Sequence, residues 1–142
     1  MDTDSLERFL VAQESSFDMA LREIRQGKKR THWMWYVFPQ VAGLGFSQTS
    51  KFYAIRDGAE AKRYLDHPVL RERLVTISRA LLEQTTNNAN QVLGSPDDVK
   101  LQSCMTLFAA VPGADPVFQQ VLDKYFSGMP DQKTLDLLAA DK

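Results

Sequence analysis

Apolar residues recur at three- and four-residue steps along most of this 142-residue chain, and most of these stripes open at a proline or a polar capping residue. That period suits a helix burying one face, whereas a half-buried strand alternates, and no segment here sustains alternation. Near the N-terminus the stripe runs through Leu6, Phe9, Leu10, Phe17, Ala20, Leu21 and Ile24. Asp4 followed by Glu7 reads as a capping box. Ser15-Ser16 reads as an interruption, because serine hydroxyls compete for backbone partners. Two helices are therefore expected, about Ser5 to Gln13 and Phe17 to Gln26, with Gly27 as the stop.

Further along, Ser47 predicts the cap of a short helix through Ile55, and Asp57 the cap of another that buries Ala61, Tyr64 and Leu65. His67-Pro68, Ser95-Pro96 and Asp115-Pro116 each place proline at a first helical position, where its fixed φ helps and its missing N–H is harmless. The stripes that follow are Leu70, Leu74, Ile77, Leu81; then Leu101, Cys104, Met105, Phe108, Val111; then Val117, Val121, Leu122, Tyr125. Thr85 to Asn90 reads as a polar loop, with Gly94 in a turn. Gly128-Met129-Pro130 ends the penultimate helix and Asp131 caps a last one. No repeat or linker divides the chain, so the expectation is an all-α fold forming a single domain over residues 1–142.

Composition narrows the function classes. Hydrophobic residues make up 44% and charged residues 25%, a balance that folds. Seventeen Lys plus Arg against eighteen Asp plus Glu give a net charge of -1, so no global field draws the chain to nucleic acid, and that partner is not expected. One cysteine, Cys104, and two histidines cannot assemble a zinc site of the usual spacing, so no metal and no cofactor is expected. Met1 to Ser5 lacks the basic and apolar regions of a secretory signal, and no apolar run is long enough for a span; the expectation is a cytoplasmic protein without membrane contact. Oligomeric state is not legible.

Chemistry concentrates in Lys28 to Gln40, where three cations and His32 run into Trp33-Met34-Trp35-Tyr36-Val37-Phe38-Pro39. A helical reading puts Trp33, Tyr36 and Val37 on one side and an extended reading groups Trp33, Trp35 and Val37; so short a run fits either. Arg22, Arg25, Lys28, Lys29 and Arg30 complement the carbonyls at a helix C-terminus. They also offer an anion site, in which Lys28, Arg30 and His32 converge on a phosphate and Trp33 or Trp35 provides a stacking face. A buried tryptophan needs an acceptor for its indole N–H, and Gln40, Ser103 and Thr106 are the candidates. His32 is the candidate catalytic acid or base, set against a plainer role at the edge of an aromatic core. His67, immediately before Pro68, reads as a capping or packing residue. Cys104 lies on an apolar stripe and reads as a small hydrophobe. Asp97 and Asp98 complement a helix N-terminus, and Lys100 pairs with an acid or reaches an anion. Gly43-Leu44-Gly45 lacks the third glycine and preceding strand of a dinucleotide fingerprint and reads as a turn.

His32-Trp33-Met34-Trp35-Tyr36-Val37-Phe38-Pro39-Gln40, Gly43-Leu44-Gly45, Tyr64-Leu65 with His67-Pro68, Lys100, and Ser103 to Phe108 together resemble the signature of a bacterial family catalogued as domain of unknown function eighteen-ten. The resemblance runs from about Leu6 to Leu138 and implies a compact, mostly helical domain without an assigned activity. Members are sometimes labelled calpastatin, a disordered inhibitor that a chain patterned to fold throughout does not match. Members often carry serine in place of Cys104, which weighs against an obligatory thiol.

The expected function is binding of an anionic small molecule, nucleotide derivatives included, by Lys28, Arg30, His32, Trp33, Trp35, Gln40, Lys100 and Ser103. The alternatives are a protein-interaction module in which the aromatic motif is the keystone of the fold, and an enzyme acting on a phosphate-containing substrate with His32 transferring the proton.

Overall fold

The computed structural model describes residues 6–140. Their secondary structure is helical apart from turns and one isolated parallel bridge between Val41 and Ile55. In chain order the helices are α1 (Glu7–Arg25), α2 (Met34–Val37), α3 (Gln48–Phe52), α4 (Gly58–Asp66), α5 (Pro68–Leu82), α6 (Ala89–Leu93), α7 (Asp97–Ala109), α8 (Val117–Phe126) and α9 (Gln132–Ala140). The fold is all-α. The capping box read at Asp4 and the Met1 to Ser5 opening lie outside the described residues.

Local signals account for most helix ends. The Gly27 and Lys28 amides donate back to the Ile24 and Glu23 carbonyls at 2.9 and 3.1 Å, and Gly27 takes φ +86°, so α1 ends in a Schellman turn. Ser47 accepts from the Ser50 amide, Asp57 from Glu60, and the His67 ring from Val69 and Leu70, which makes His67 the expected cap. Asp131 Oδ2 accepts from the Thr134 amide at 3.2 Å and starts α9. Pro68 occupies the first position of α5 as expected, whereas Pro96 and Pro116, expected at the same position, are corrected to the capping position one residue outside α7 and α8.

The structure corrects three local readings. Ser15-Ser16 does not interrupt α1. A helix that buries Phe9, Gln13, Ala20 and Ile24 along one face outweighs the weak preference of two serines, and the Ser16 oxygen accepts from the Tyr36 hydroxyl at 3.0 Å. Asn90 lies in a helix and not in a loop, because the Asn88 side chain accepts from the Asn90 and Gln91 amides and caps α6. The short helix after Ser47 stops at Phe52, since Ile55 turns extended to donate to the Gln40 carbonyl at 2.8 Å.

α7 is the centre of the molecule. It packs against α4, α6, α8 and α9, and α5 packs against α1, α4 and α8. A helix covered on most sides has no clean stripe: Ser103, Cys104, Met105, Thr106, Leu107 and Phe108 are all buried. The Thr106 hydroxyl donates to the Gln102 carbonyl at 2.8 Å and accepts from the Asp131 amide, so a hydroxyl in the core has both roles filled. Cys104 is fully enclosed, and burial pushes its thiol well above the ordinary value, the setting of an inert cysteine.

The turn after Pro39 is wedged between two helices. A Cβ on Gly43 would meet the Leu137 side chain of α9 at 3.1 Å, and one on Gly45 would come within 2.6 Å of Ser50 Cβ in α3. Gly45→Ala is expected to cost about 1–3 kcal/mol, the usual penalty of overpacking. Gly58→Ala, where an added Cβ meets nothing within 4 Å, is expected to be neutral or stabilising by up to about 1 kcal/mol. Urea unfolding of the two variants side by side tests the contrast. An unaffected Gly45→Ala protein would show that the turn is not confined by α3.

Candidate functional site

The tryptophan motif splits into an inner and an outer half. Met34–Val37 forms one helical turn, which drives Trp33, Met34, Val37 and Phe38 inward and leaves Trp35 and Tyr36 half-buried. The Trp33 ring is 1% exposed. Its indole N–H donates to Glu23 Oε1 at 2.8 Å, and none of the three acceptors expected for it serves.

Glu23 organises this half. The same Oε1 accepts from the Arg30 amide at 2.8 Å and the Thr31 amide at 3.1 Å, while Oε2 accepts from the Thr31 hydroxyl at 2.7 Å. Burial alone would raise the pKa of this carboxylate, but its donors from Arg30, Trp33 and Thr31 outweigh that and hold it at about 2, below its ordinary 4.5. Lys29 is drawn in as well. Its ammonium lies 2.9 Å from Asp97 Oδ2 and 5.1 Å from the Trp33 ring centroid, with the side chain 9% exposed. Three features therefore tie residues 29–33 to the core, and the stacking face expected of Trp33 is covered. Lys28, Arg30 and His32 point to the surface. The three share one exposed stretch of chain, and the Tyr36 hydroxyl, 3.3 Å from the His32 carbonyl, touches that residue through its backbone.

The outer half builds a cleft. Trp35, Gln40, Leu44, Gly45, Lys100 and Ser103 line a space of about 280 Å³ together with Pro96, Val99, Asp131 and Lys133. A smaller space of about 100 Å³ adjoins it, sharing Trp35, Gln40, Leu44 and Gly45 and reaching Ser50, Lys51 and Tyr53. So four residues expected at a ligand site, Trp35, Gln40, Lys100 and Ser103, come together although sixty-odd positions separate the pairs. The Lys100 ammonium stands 3.6 Å from the Trp35 ring centroid and 3.4 Å from Asp97 Oδ1. Asp97 thus holds Lys29 with one oxygen and Lys100 with the other. A single carboxylate shared by two cations leaves an excess of positive charge over the indole face, where cation–π attraction is worth about 0.5–2 kcal/mol.

The acid in the wall is already occupied. Asp131 Oδ2 accepts from the Ser103 hydroxyl at 3.0 Å, the Thr134 hydroxyl at 2.5 Å and the Thr134 amide, and the charged groups lining the space are two lysines, Lys100 and Lys133, and this one carboxylate. Sequence reasoning did not single out Leu44, Val99 or Lys133 for the site. Lys133 sits two residues past the capping Asp131, and that spacing was the available signal. A larger groove of about 540 Å³ runs between the start of α4, the end of α7 and α9, lined by apolar residues such as Leu107, Val111, Leu135 and Leu138. None of the expected site residues borders it. Among the described residues no cluster of His, Cys, Asp or Glu has the geometry to hold a metal ion, and no helix is long and apolar enough to cross a membrane.

A buried central helix, the helices packed round it and a cleft bearing lysine and tryptophan define an all-α domain. The chain belongs to the family described as Protein of unknown function (DUF1810), whose model matches residues 3–138. It is similar in structure to the conserved hypothetical protein Rv1873 from Mycobacterium tuberculosis, with a TM-score of 0.93 and 40% sequence identity over 97% of this chain and 99% of that one. A comparison with curated proteins finds no match.

Proposed function

We propose that the Trp35 cleft binds an anionic small molecule, nucleotide derivatives included. The observation that carries this reading is the convergence of Trp35, Gln40, Lys100 and Ser103 on one concave space whose wall carries two lysines to one carboxylate. Each does something distinct there. Lys100 and Lys133 attract the anion, the Gln40 amide offers both donors and an acceptor, and the half-buried indole gives a flat apolar wall. The Ser103 hydroxyl has one proton, already directed at Asp131 or the Val99 carbonyl, so towards a ligand it acts as an acceptor. Lys28, Arg30 and His32 stand outside this wall and carry no part of the reading, which is why binding is favoured over catalysis by His32.

A thermal-shift screen against nucleotides, sugar phosphates and ADP-ribose tests it. A compound present at a hundred times its dissociation constant stabilises the native state by about 2.7 kcal/mol. The shift is expected to vanish in Lys100→Met, which keeps the alkyl stem over Trp35 and removes the charge, and to persist in Lys28→Ala and Arg30→Ala. A shift that Lys100→Met leaves intact and Lys28→Ala abolishes would move the site to the surface loop.

A further inference from the structure

The turn after Pro39 leaves part of its own backbone unpaired. At its start the Ile55 amide donates to the Gln40 carbonyl at 2.8 Å and the Ala42 amide to the Ile55 carbonyl at 2.7 Å. Beyond that bridge the amides of Gly43, Leu44 and Gly45 meet no acceptor among the described residues. Leu44 and Gly45 are half-buried, and an N–H group withdrawn from bulk water needs an acceptor, which here must come from outside the chain. All three residues line the space of about 100 Å³ that adjoins the cleft. Among the described residues Lys51 is the one charged side chain in that wall, and its ammonium has neither an ion pair nor a hydrogen bond. The Gln40 side chain, which borders both spaces, is likewise without a partner among them. Glycine keeps the junction open: Gly45 also borders both spaces, and a Cβ there would lie 2.6 Å from Ser50 and 4.0 Å from the Trp35 ring.

Resting on the binding reading above, we infer that this smaller space is a second anion subsite, so that the ligand carries two anionic groups on a short spacer, one held by Lys100 and Lys133 and the other by the Gly43, Leu44 and Gly45 amides and Lys51. Successive backbone N–H groups in a turn form concavities that take anions, and among the described residues no carboxylate lines this one to oppose it. A volume of about 100 Å³, several times what one water needs, suits a group of phosphate or carboxylate size. The Gln40 amide, common to both walls, can donate to either group. A ligand with a single anionic group fills one subsite and leaves the donors of the other unmatched.

Calorimetric titration with propylphosphonate and with methylene-, trimethylene- and hexamethylenebisphosphonate, followed in parallel by amide-proton NMR, reads the two subsites separately. The best-spaced bisphosphonate is expected to bind about tenfold or more tighter than propylphosphonate. It should also move the amide signals of Gly43, Leu44 and Gly45, which propylphosphonate moves far less. Lys51→Met, at an exposed position, should cut the bisphosphonate advantage by about two- to fivefold, the worth of an exposed charge pair, and leave propylphosphonate binding unchanged. Lys100→Met should weaken every compound. Lys100-dependent binding that is equal for propylphosphonate and all three bisphosphonates, or a bisphosphonate advantage that moves none of the three amide signals, overturns the inference and leaves anion binding at Lys100 standing. No binding by any compound overturns both.

Discussion

Glu23→Gln is expected to destabilise the protein by about 1–3 kcal/mol at neutral pH and to remove a large part of its acid sensitivity. The carboxylate sits at about 2 in the folded protein against an ordinary 4.5, a lowered value, so the stability it contributes is fully present above about pH 4.5 and is lost as the pH falls towards 2. The physical source is four donors, two backbone amides, a hydroxyl and an indole N–H, all aimed at one side chain. An amide oxygen in the place of Oε1 still accepts from the two backbone amides and the indole, but it carries no charge, and the Thr31 hydroxyl must turn from donor to acceptor, so each of these bonds is weakened. Urea unfolding of both proteins at pH values between 2 and 7 checks this. The two stability curves should converge at low pH, and parallel curves would show that Glu23 is not the group whose protonation loosens the fold.

The second large effect is a contrast between neighbouring tryptophans. Trp33→Ala is expected to cost about 3–5 kcal/mol, the range for emptying a buried aromatic site. It also strands Glu23 and Lys29 beside the cavity and removes the ring packed 6.1 Å from Phe38. Trp35→Ala removes a ring that is only half-buried and should cost no more than about 2 kcal/mol. Its consequence is functional: the wall of the cleft and the seat of Lys100 are lost, so any ligand-induced stabilisation should disappear while the protein still unfolds cooperatively. Denaturation with and without ligand separates the two. Equal losses of stability would mean that the motif has no inner and outer half.

The helix starts were legible because caps and prolines act within three or four residues. Asp57, His67 and Asp131 each satisfy an amide close by in the chain, and each served as expected. Ser15-Ser16 failed as a break because what holds α1 together there is packing against distant elements, to which a local preference of a few tenths of a kcal/mol is no match. The Asn88 cap was overlooked because the polarity of Thr85 to Asn90 masked it. Four of the residues that line the cleft, Trp35, Gln40, Lys100 and Ser103, were legible in the sequence, but nothing local could separate Trp33 from Trp35. The difference comes from Glu23, ten residues earlier on another helix. One signal was available: an acid near the C-terminus of a helix, among Arg22 and Arg25, stands where exposed carbonyls disfavour it. Such a residue must be compensated by contacts elsewhere.

The central claim is that Trp35 faces a ligand and Trp33 does not, and the chain has only these two tryptophans. Its amide-proton NMR spectrum therefore contains one indole N–H signal from each, assigned by Trp35→Phe. Titration with ADP-ribose and, separately, with trimethylenebisphosphonate should move the Trp35 signal for at least one of them and leave the Trp33 signal, fixed on Glu23, in place. Movement of Trp33 alone, or of neither signal under both ligands, would contradict the account.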